Sequence, residues 1–217
     1  MKIEAVTVSI HFSDYLIHCV GNKKHFDRWI IVTVEDDHET IDICKKHDIE
    51  YVLSKDIYTG RHGEPAIFAK GRAVNEGLAV LDRDDWLVHM DSDVILPKDT
   101  RRVIRKGKLD TEKLYCPRGR YMAYSVSDLS RDLKDLPFRR RTKNPNEREE
   151  DRWMGFFQLW HSSIRQEYRA KSGNARKDDV GFRRKWKLHN RGVLKFSCVH
   201  LGPRRENWEG RTSPKFS

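Results

Sequence analysis

The sequence has 217 residues, of which 37% are hydrophobic and 35% charged, a composition that supports a folded core and excludes a chain disordered throughout. No apolar run approaches the ~18 residues that a membrane-spanning helix requires. The net charge of +10 is uneven, because residues 1–100 contain 12 basic and 19 acidic residues, whereas residues 101–217 contain 31 and 14. This asymmetry indicates an anionic partner for the second half, although a solvated basic surface is the alternative.

The first hundred residues alternate between strand and helix patterns. Apolar, β-branched runs predict strands at 4–10, 29–34, 50–53 and 86–90. Helices are predicted between them: about eight residues from Tyr15 behind a Ser13-Asp14 cap, a second through Ile41, Ile43 and Cys44, and a third over 66–81. This order predicts an α/β fold with a mostly parallel sheet flanked by helices. The absence of GxGxxG and P-loop motifs argues against dinucleotide enzymes and P-loop ATPases.

The second half is more polar and its elements are less regular. The sequence predicts a strand pair around Pro117-Arg118-Gly119 within 113–126 and an exposed mobile loop at 139–152. Strands are predicted at 155–163 and 193–201, and a polar loop that leads into a short basic helix is predicted between them at 165–191. The polar tail after residue 201 is expected to lie on the rest of the protein or to stay loose. We treat 1–217 as one domain with two halves, 1–100 and 101–217.

Two aspartates follow the fourth predicted strand in the stretch WLVHMDSDVILP, at positions 91 and 93. Strands of an open parallel sheet deliver their carboxyl ends to a ligand crevice. The two carboxylates repel each other, and a Mg²⁺ or Mn²⁺ ion bridging phosphates would resolve that repulsion. A turn with two solvated acids is the alternative.

Three segments in order resemble the GT-A-fold glycosyltransferases: AKGRAVNEGLAVL with the DxD motif of WLVHMDSDVILP, then KDDVGFRRKW, then CVHLGPRRENWEGR. The resemblance implies a Rossmann-like GT-A fold, a nucleotide-sugar donor with UDP favoured, and a Mn²⁺ or Mg²⁺ cofactor. It makes Asp93 the principal metal ligand and His200 a further one. It places Asp91 on the donor ribose or on the metal.

The segment KDDVGFRRKW supplies the candidate catalytic acids. The resemblance implies that Asp179 is the general base toward an acceptor hydroxyl and that Asp178 is its acidic partner. Which of the two aspartates is the base is left open, because the Trp- and Gly-rich segment that precedes these acids in the family is absent here. A helix cap with acids in its first turn is the alternative. A base aimed at the acceptor implies inversion at the anomeric carbon.

Further residues are expected around the nucleotide and its diphosphate. Ser9 and His11 follow the first strand, and Glu35 and Asp36 follow the second, where the resemblance places ribose and base and where ordinary turn residues are equally expected. Basic and aromatic side chains that could hold or cover the diphosphate are Lys70, Arg72, Arg204, Arg205, Trp208 and Arg211. For Lys70 and Arg72 a solvated helix face is the alternative.

Residues 165–191 contain 10 basic and 3 acidic residues with Tyr168, Phe182 and Trp186 interleaved. Basic segments with stacking aromatics are typical of nucleic-acid binding. The sequence therefore points to DNA as an acceptor, glycosylated at a hydroxymethylated base of the kind that some bacteriophage enzymes modify, and flipped out to reach Asp179. The alternatives are a glycan or lipid acceptor and a non-catalytic nucleic-acid-binding protein. A nucleotidyltransferase is disfavoured, because SIHFSDY lacks the expected glycine-rich loop.

The four cysteines, at positions 19, 44, 116 and 198, form no CxxC pair. They are expected to be small buried thiols in a reducing compartment. The first residues also lack the apolar stretch of a secretory signal. We therefore expect a cytoplasmic protein, in the host cytoplasm if the chain is of phage origin.

Overall fold

A computed structural model of the chain describes residues 1–55, 57–59, 67–140, 155–169, 173–203 and 206–217. The strands of these residues are β1 Ile3–Val8, β2 Arg28–Thr33, β3 Glu50–Leu53, β4 Tyr58–Thr59, β5 Ile67–Phe68, β6 Trp86–Met90, β7 Val94–Ile95, β8 Leu114–Ala123, β9 Phe138–Arg140, β10 Phe157–His161 and β11 Arg191–Leu201. The helices are α1 Ser13–Cys19, α2 His38–Lys46, α3 Lys70–Ala79, α4 Thr100–Lys106 and α5 Ala175–Arg183.

The main sheet has the strand order β3-β2-β1-β6-β10-β8-β11-β7, with β9 paired to β8. The pairs within β3-β2-β1-β6 and the pair β8–β11 are parallel, whereas β10 is antiparallel to both of its neighbours. The mixed, mostly parallel α/β sheet predicted from the sequence is therefore confirmed. Strands from both halves of the chain join this sheet.

Two apolar layers cover the sheet. On one face, side chains from β1 and β6 pack with Leu16, Cys44 and Ile104 of α1, α2 and α4. On the other face, Val74 and Leu78 of α3 and Phe182 of α5 pack over the sheet. All residues of β1 and β6 are buried, as expected for parallel strands covered on both sides.

Several predicted bounds are corrected by the structure. Residues 114–123 form the single strand β8 and no hairpin, so Pro117-Arg118-Gly119 is not a turn. The helix predicted over 66–81 covers 70–79, because Ile67–Phe68 pairs with β4. The Ser13-Asp14 cap is also wrong: Phe12 is the N-cap residue, without a capping side-chain bond. Most of the loop predicted at 139–152 lies outside the described residues, and 139–140 belongs to β9.

Two further expectations concern the cysteines and the membrane. Within the described part of the chain, all four cysteines are buried, as predicted, and none of them forms a disulfide bond. None of the helices in that part combines the length and the hydropathy needed to cross a membrane.

The C-terminal tail lies on the protein. The guanidinium of Arg211 forms a two-point ion pair with Asp14, with Nη2 2.7 Å from Oδ2, and it lies over the rings of Phe12 and Tyr15. Phe216 is buried and stacks on Tyr15 with ring centroids 5.1 Å apart. The tail thereby fixes α1, which begins immediately after the loop that leaves β1.

We expect Arg211→Met to lower the free energy of unfolding by about 1–3 kcal/mol, because it leaves a partly buried carboxylate without its charged partner. Burial acts to raise the pKa of Asp14, but hydrogen bonds from Arg211 and Phe216 hold it below its ordinary value of 3.8. A carboxylate with a lowered pKa stabilises the fold above its unfolded pKa and loses that contribution as the pH falls. Urea unfolding should show the full difference above about pH 4 and a shrinking one in stronger acid. A difference that stays constant into acid would contradict this account.

Candidate active site

Asp93 and His200 are brought together by the pairing of β7 with β11. Asp93 immediately precedes β7, and His200 pairs with Val94. The Leu201 amide donates to the Asp93 carbonyl at 2.8 Å. His200 Nε2 lies 3.6 Å from Asp93 Oδ2. The DxD segment and the late histidine, 107 positions apart in the sequence, therefore meet at the carboxyl edge of the sheet.

The chemistry of this pair fits a hard divalent cation. His200 Nδ1 lies 3.0 Å from the Leu201 carbonyl, which can only accept, so Nδ1 carries a proton, and the neutral ring would present the lone pair of Nε2 to a cation beside Asp93. Asp93 Oδ1 is buried and has no hydrogen-bond partner among the described residues. Burial, together with the charge of Asp91, raises the pKa of Asp93 to about 7. A cation would compensate this partly buried carboxylate.

Asp93 and His200 are two candidate ligands and do not form a complete cage. Among the described residues, no group of three His, Cys, Asp or Glu side chains could hold a metal ion alone. Asp91, the third ligand expected from the sequence, is bound to an amine instead. A cation at Asp93 and His200 would take its other ligands from water or from phosphate oxygens, which Mg²⁺ and Mn²⁺ prefer.

Lys70 joins two of the predicted acids. It is the first residue of α3 and is buried, and its Nζ lies 2.6 Å from Asp91 Oδ1 and 3.2 Å from both carboxylate oxygens of Asp179. Burial acts to lower the pKa of Lys70, but the two carboxylates raise it above its ordinary value. The sequence predicted Lys70 near a diphosphate, whereas the structure places its amine between the DxD motif and α5.

The pKa values of Asp91 and Asp179, the two carboxyls that contact Lys70, shift in opposite directions. Burial acts to raise the pKa of Asp91, but the adjacent Lys70 charge lowers it to about 2. Burial raises the pKa of Asp179 to about 8; Lys70 opposes this rise, and the charge of Asp91 adds to it. Of the two carboxyls that contact Lys70, Asp179 is therefore the one that exchanges its proton near neutral pH.

Asp178 and Asp179 occupy different positions in the first turns of α5. The helix begins behind Asn174, whose side chain accepts the Lys177 amide at 3.2 Å. Asp178 is fully buried, and its Oδ2 accepts the Gly71 amide of α3 at 2.9 Å. Asp179 is 8% exposed and faces the Lys70 amine. Asp178 thus ties α5 to α3, while Asp179 borders the site.

A buried polar network behind Asp179 was missed by the sequence reasoning. Tyr168 donates to Gln158 Oε1 at 2.6 Å, and Gln158 Nε2 donates to the Asp179 carbonyl at 3.1 Å. His89 Nδ1 lies 2.9 Å from the Tyr168 hydroxyl. Burial and the Lys70 charge lower the pKa of His89 to about 3, so the ring is neutral. The network fixes the backbone that carries Asp179.

Gly155 and Phe156 connect the acids and were also missed. A Cβ at Gly155 would lie 2.8 Å from the Cβ of Asp179. The Phe156 carbonyl accepts the Asp91 amide at 2.9 Å, and its ring lies edge-on to His200 with centroids 5.6 Å apart. The one available signal was a glycine immediately before an aromatic strand. This segment touches the base candidate, the DxD motif and the histidine.

We expect Gly155→Ala to lower transfer activity by about 100-fold, because the added methyl group must displace Asp179 and misplacements of about 1 Å have effects of that size. Steady-state kinetics should show the loss, and metal-dependent nucleotide binding should remain. Gly21→Ala is the matched control, since a Cβ at Gly21 meets no atom within 4 Å. Equal activity of the two variants would contradict the packing argument.

The residues predicted at the nucleotide floor differ in how far they are exposed. Ser9 is fully buried, and its hydroxyl has no partner among the described residues. His11 has a φ of 59° and a half-exposed side chain, while Glu35 and Asp36 are exposed. The neighbouring Asp37, which the sequence reasoning passed over, is buried and accepts from the His11 amide, the Thr33 hydroxyl and the Thr40 amide. Asp37 therefore holds the ends of β1 and β2 together.

Three of the other residues predicted to hold or cover the diphosphate have protein partners in the structure. Arg72 lies 3.8 Å from Glu76 on the exposed side of α3. Trp208 packs against α5, with its carbonyl accepting the Ala175 amide and its ring under Arg176. Arg211 is engaged by Asp14 in the tail. Arg204 and Arg205 lie outside the described residues.

The aromatics of the basic segment belong to the core. Tyr168, Phe182 and Trp186 are each less than 5% exposed. The Tyr168 and Phe182 rings stack with centroids 4.0 Å apart, and Phe182 meets Trp186 at 5.2 Å. The expectation that these three rings stack on nucleic-acid bases is therefore wrong. Their spacing reflects packing of α5 on the sheet.

Comparison with known proteins shows which solved structures have a similar fold. No family model matches the chain, and no curated protein matches it. Among solved structures, TarS of S. aureus aligns with a TM-score of 0.56 at 12% identity over 93% of this chain, which spans only 37% of TarS. Mannosyl-3-phosphoglycerate synthase from Rubrobacter xylanophilus aligns at 0.55 and 15% identity, over 94% of this chain and 68% of that one.

A third neighbour was solved with ligands. It is glucosyl-3-phosphoglycerate synthase from Mycobacterium tuberculosis in complex with Mn²⁺, UDP and glucosyl-3-phosphoglycerate, with a TM-score of 0.55 and 12% identity over 98% of this chain and 73% of that one. Identities this low show the fold alone. The chain has the mixed α/β fold of the GT-A glycosyltransferases.

Proposed function

We propose that this protein is a metal-dependent glycosyltransferase that moves a sugar from a nucleotide-sugar donor to an acceptor hydroxyl. The observation that carries the proposal is the cluster at the carboxyl edge of the sheet. There Asp93 and His200 lie 3.6 Å apart, beside the Lys70 amine that joins Asp91 to Asp179. Two candidate cation ligands beside a carboxyl that can take a proton suit this reaction. The neighbour solved with UDP and Mn²⁺ supports UDP as the donor nucleotide.

In this proposal Asp93 and His200 hold Mn²⁺ or Mg²⁺. The cation, when bound, neutralises charge on the departing diphosphate. Asp91 faces the donor ribose, and Lys70 keeps its carboxylate ionised. Residues 1–100 form the donor half and residues 101–217 the acceptor half.

Asp179 is the general base of the proposal. Its carboxylate takes the proton of the acceptor hydroxyl as the acceptor oxygen forms a bond to the anomeric carbon and the bond from that carbon to the diphosphate breaks. Displacement from the face opposite the leaving group inverts the anomeric configuration. Asp178 acts as a positioning residue, since its carboxylate binds the Gly71 amide. The network of His89, Tyr168 and Gln158 holds the Asp179 backbone in place.

The charge of the second half supports an anionic acceptor. Hydroxymethylated DNA is one such acceptor. The positive charge of the second half is the observation that supports it, because Tyr168, Phe182 and Trp186 are buried and do not provide a stacking surface. A non-catalytic nucleic-acid-binding protein would not need the buried, unpartnered oxygen of Asp93.

The proposal is tested by incubating the protein with UDP-glucose, UDP-galactose, UDP-GlcNAc and GDP-mannose in the presence of Mn²⁺ and measuring release of the nucleoside diphosphate. We expect slow hydrolysis of at least one donor, dependent on the metal and absent after chelation with EDTA. Addition of hydroxymethylated DNA tests that acceptor in the same assay. Failure of all donors to bind or react would refute the glycosyltransferase assignment.

A further inference from the structure

The outer edge of β7 is covered by side chains and not by another strand. In the described part of the chain, β7 is the last strand of the main sheet. The Leu201 amide of β11 donates to the Asp93 carbonyl. Because the peptide groups of successive residues in an antiparallel strand face opposite sides, the Val94 carbonyl and the Leu96 amide face away from β11. Both residues are buried, so these two peptide groups need partners other than water.

Asn22 supplies both partners. It lies in the 3₁₀-helical turn Val20–His25 that follows α1, and it is 1% exposed. Its Nδ2 donates to the Val94 carbonyl at 2.6 Å, and its Oδ1 accepts the Leu96 amide at 2.9 Å. A carboxamide offers a donor and an acceptor side by side, as the backbone of a neighbouring strand would. Asn22 therefore holds β7 from the side opposite β11.

The same side chain contacts both ends of the DxD turn. Met90 ends β6 before the turn, and Val94 begins β7 after it. Asn22 Nδ2 lies 3.8 Å from Met90 Sδ, in addition to its bond to Val94. The Cys19 thiol lies in the same environment: burial raises its pKa, the charge of Asp93 adds to the rise, and the Val94 backbone opposes it. The end of α1 and the turn after it thus support the segment that carries Asp93.

We infer that Asn22 is a positioning residue for the candidate cation ligand Asp93. The inference rests on the proposed function. β7 is only two residues long and is joined to β11 at two register positions, and short edge segments with few contacts open at low free energy. The Asn22 carboxamide adds a second attachment, which fixes Asp93 relative to His200. Removing a group that orients a metal ligand typically weakens metal binding 10–100-fold.

The inference is tested by measuring the Mn²⁺ concentration that gives half-maximal UDP binding, by calorimetry, in wild type, Asn22→Ala and Asn75→Ala. We expect this concentration to rise about 10–100-fold in Asn22→Ala. Asn75→Ala is the matched control, because the Asn75 carboxamide also makes two backbone hydrogen bonds, to the carbonyl and from the amide of Tyr168. Those bonds join α3 to Tyr168 and not β7, so the Mn²⁺ concentration should stay at the wild-type value.

A second measurement uses wild type and does not depend on whether Asn22→Ala folds. If Asn22 favours cation binding through Asp93, a bound cation must stabilise the Asn22 contacts by the same factor. With UDP present, hydrogen exchange of the Leu96 amide, followed by NMR, should slow when Mg²⁺ replaces EDTA. The Tyr168 amide, which donates to Asn75, should keep its rate. An unchanged Leu96 rate, or an equal slowing of both amides, would refute the positioning role.

The outcomes separate the two proposals. If Mn²⁺ does not promote UDP binding to wild type, the proposed function fails and the role of Asn22 fails with it. If Mn²⁺ promotes UDP binding to wild type and to Asn22→Ala at the same concentration, the role of Asn22 is refuted alone. Equal weakening in Asn22→Ala and Asn75→Ala would also refute it, since the effect would then be a general loosening of the fold.

Discussion

Asp179→Asn should lower the rate of sugar transfer by about 10²–10⁴-fold, the usual contribution of a general base. The asparagine amide keeps the size of the side chain but cannot take the acceptor proton. Affinity for UDP with Mn²⁺ should change little, because the candidate metal ligands Asp93 and His200 lie on other elements. Initial rates with a saturating donor, together with calorimetric UDP binding, would measure both quantities.

The pH profile gives an independent readout of Asp179. Burial raises its pKa to about 8, and the base acts only when deprotonated. The wild-type rate should therefore rise with pH and level off above about 8, whereas the residual rate of Asp179→Asn should lack this step. Asp42→Asn, an exposed acid on α2, is the matched control. A larger loss of rate in Asp178→Asn than in Asp179→Asn would contradict the assignment of the base.

Asp93→Ala should abolish the metal dependence of nucleotide binding and lower transfer by about 10³-fold or more, since a bound cation contributes several kcal/mol to stabilising the leaving group. Calorimetric titration with UDP, with and without Mn²⁺, would measure the effect. In wild type Mn²⁺ should tighten UDP binding, and in the variant the two titrations should coincide.

Stability separates this functional loss from misfolding. The buried Oδ1 of Asp93 has no hydrogen-bond partner among the described residues, and burying a carboxylate without compensation costs free energy. Asp93→Ala should therefore leave the free energy of unfolding of the metal-free protein unchanged or slightly raised. A strong destabilisation would mean that Asp93 holds the fold and not a cation.

Much of the first half could be predicted from the sequence because most residues of β1, β2 and β6 are apolar and nearly all of them are buried. The runs at 50–53 and 86–90 match β3 and β6 at both ends. The strand pair predicted at 113–126 was wrong, because Pro117 and Gly119 are of types that are common in turns and were interpreted as a turn. There β8 continues because Gly119 lies under the Phe138 ring of β9, a contact that local propensity does not report.

The candidate site was predictable only in part. The resemblance named Asp93, His200 and Asp179, but no local pattern indicates that the Lys70 amine reaches an acid 109 positions away. Gly155 matters through its packing on Asp179, and such contacts follow from tertiary structure. The prediction of base stacking at residues 165–191 was wrong because aromatic residues serve both to pack a helix on the core and to stack on bases. Only the tertiary structure distinguishes the two uses.

The most direct test of the account is a crystal structure of the protein with UDP and Mn²⁺, with manganese located by its anomalous scattering. The account predicts one anomalous peak within bonding distance of Asp93 and His200 Nε2, in contact with the diphosphate, with Asp179 on the side of the β-phosphate to which the sugar of the donor would be attached. A peak elsewhere, or UDP bound away from the carboxyl edge of the sheet, would contradict it.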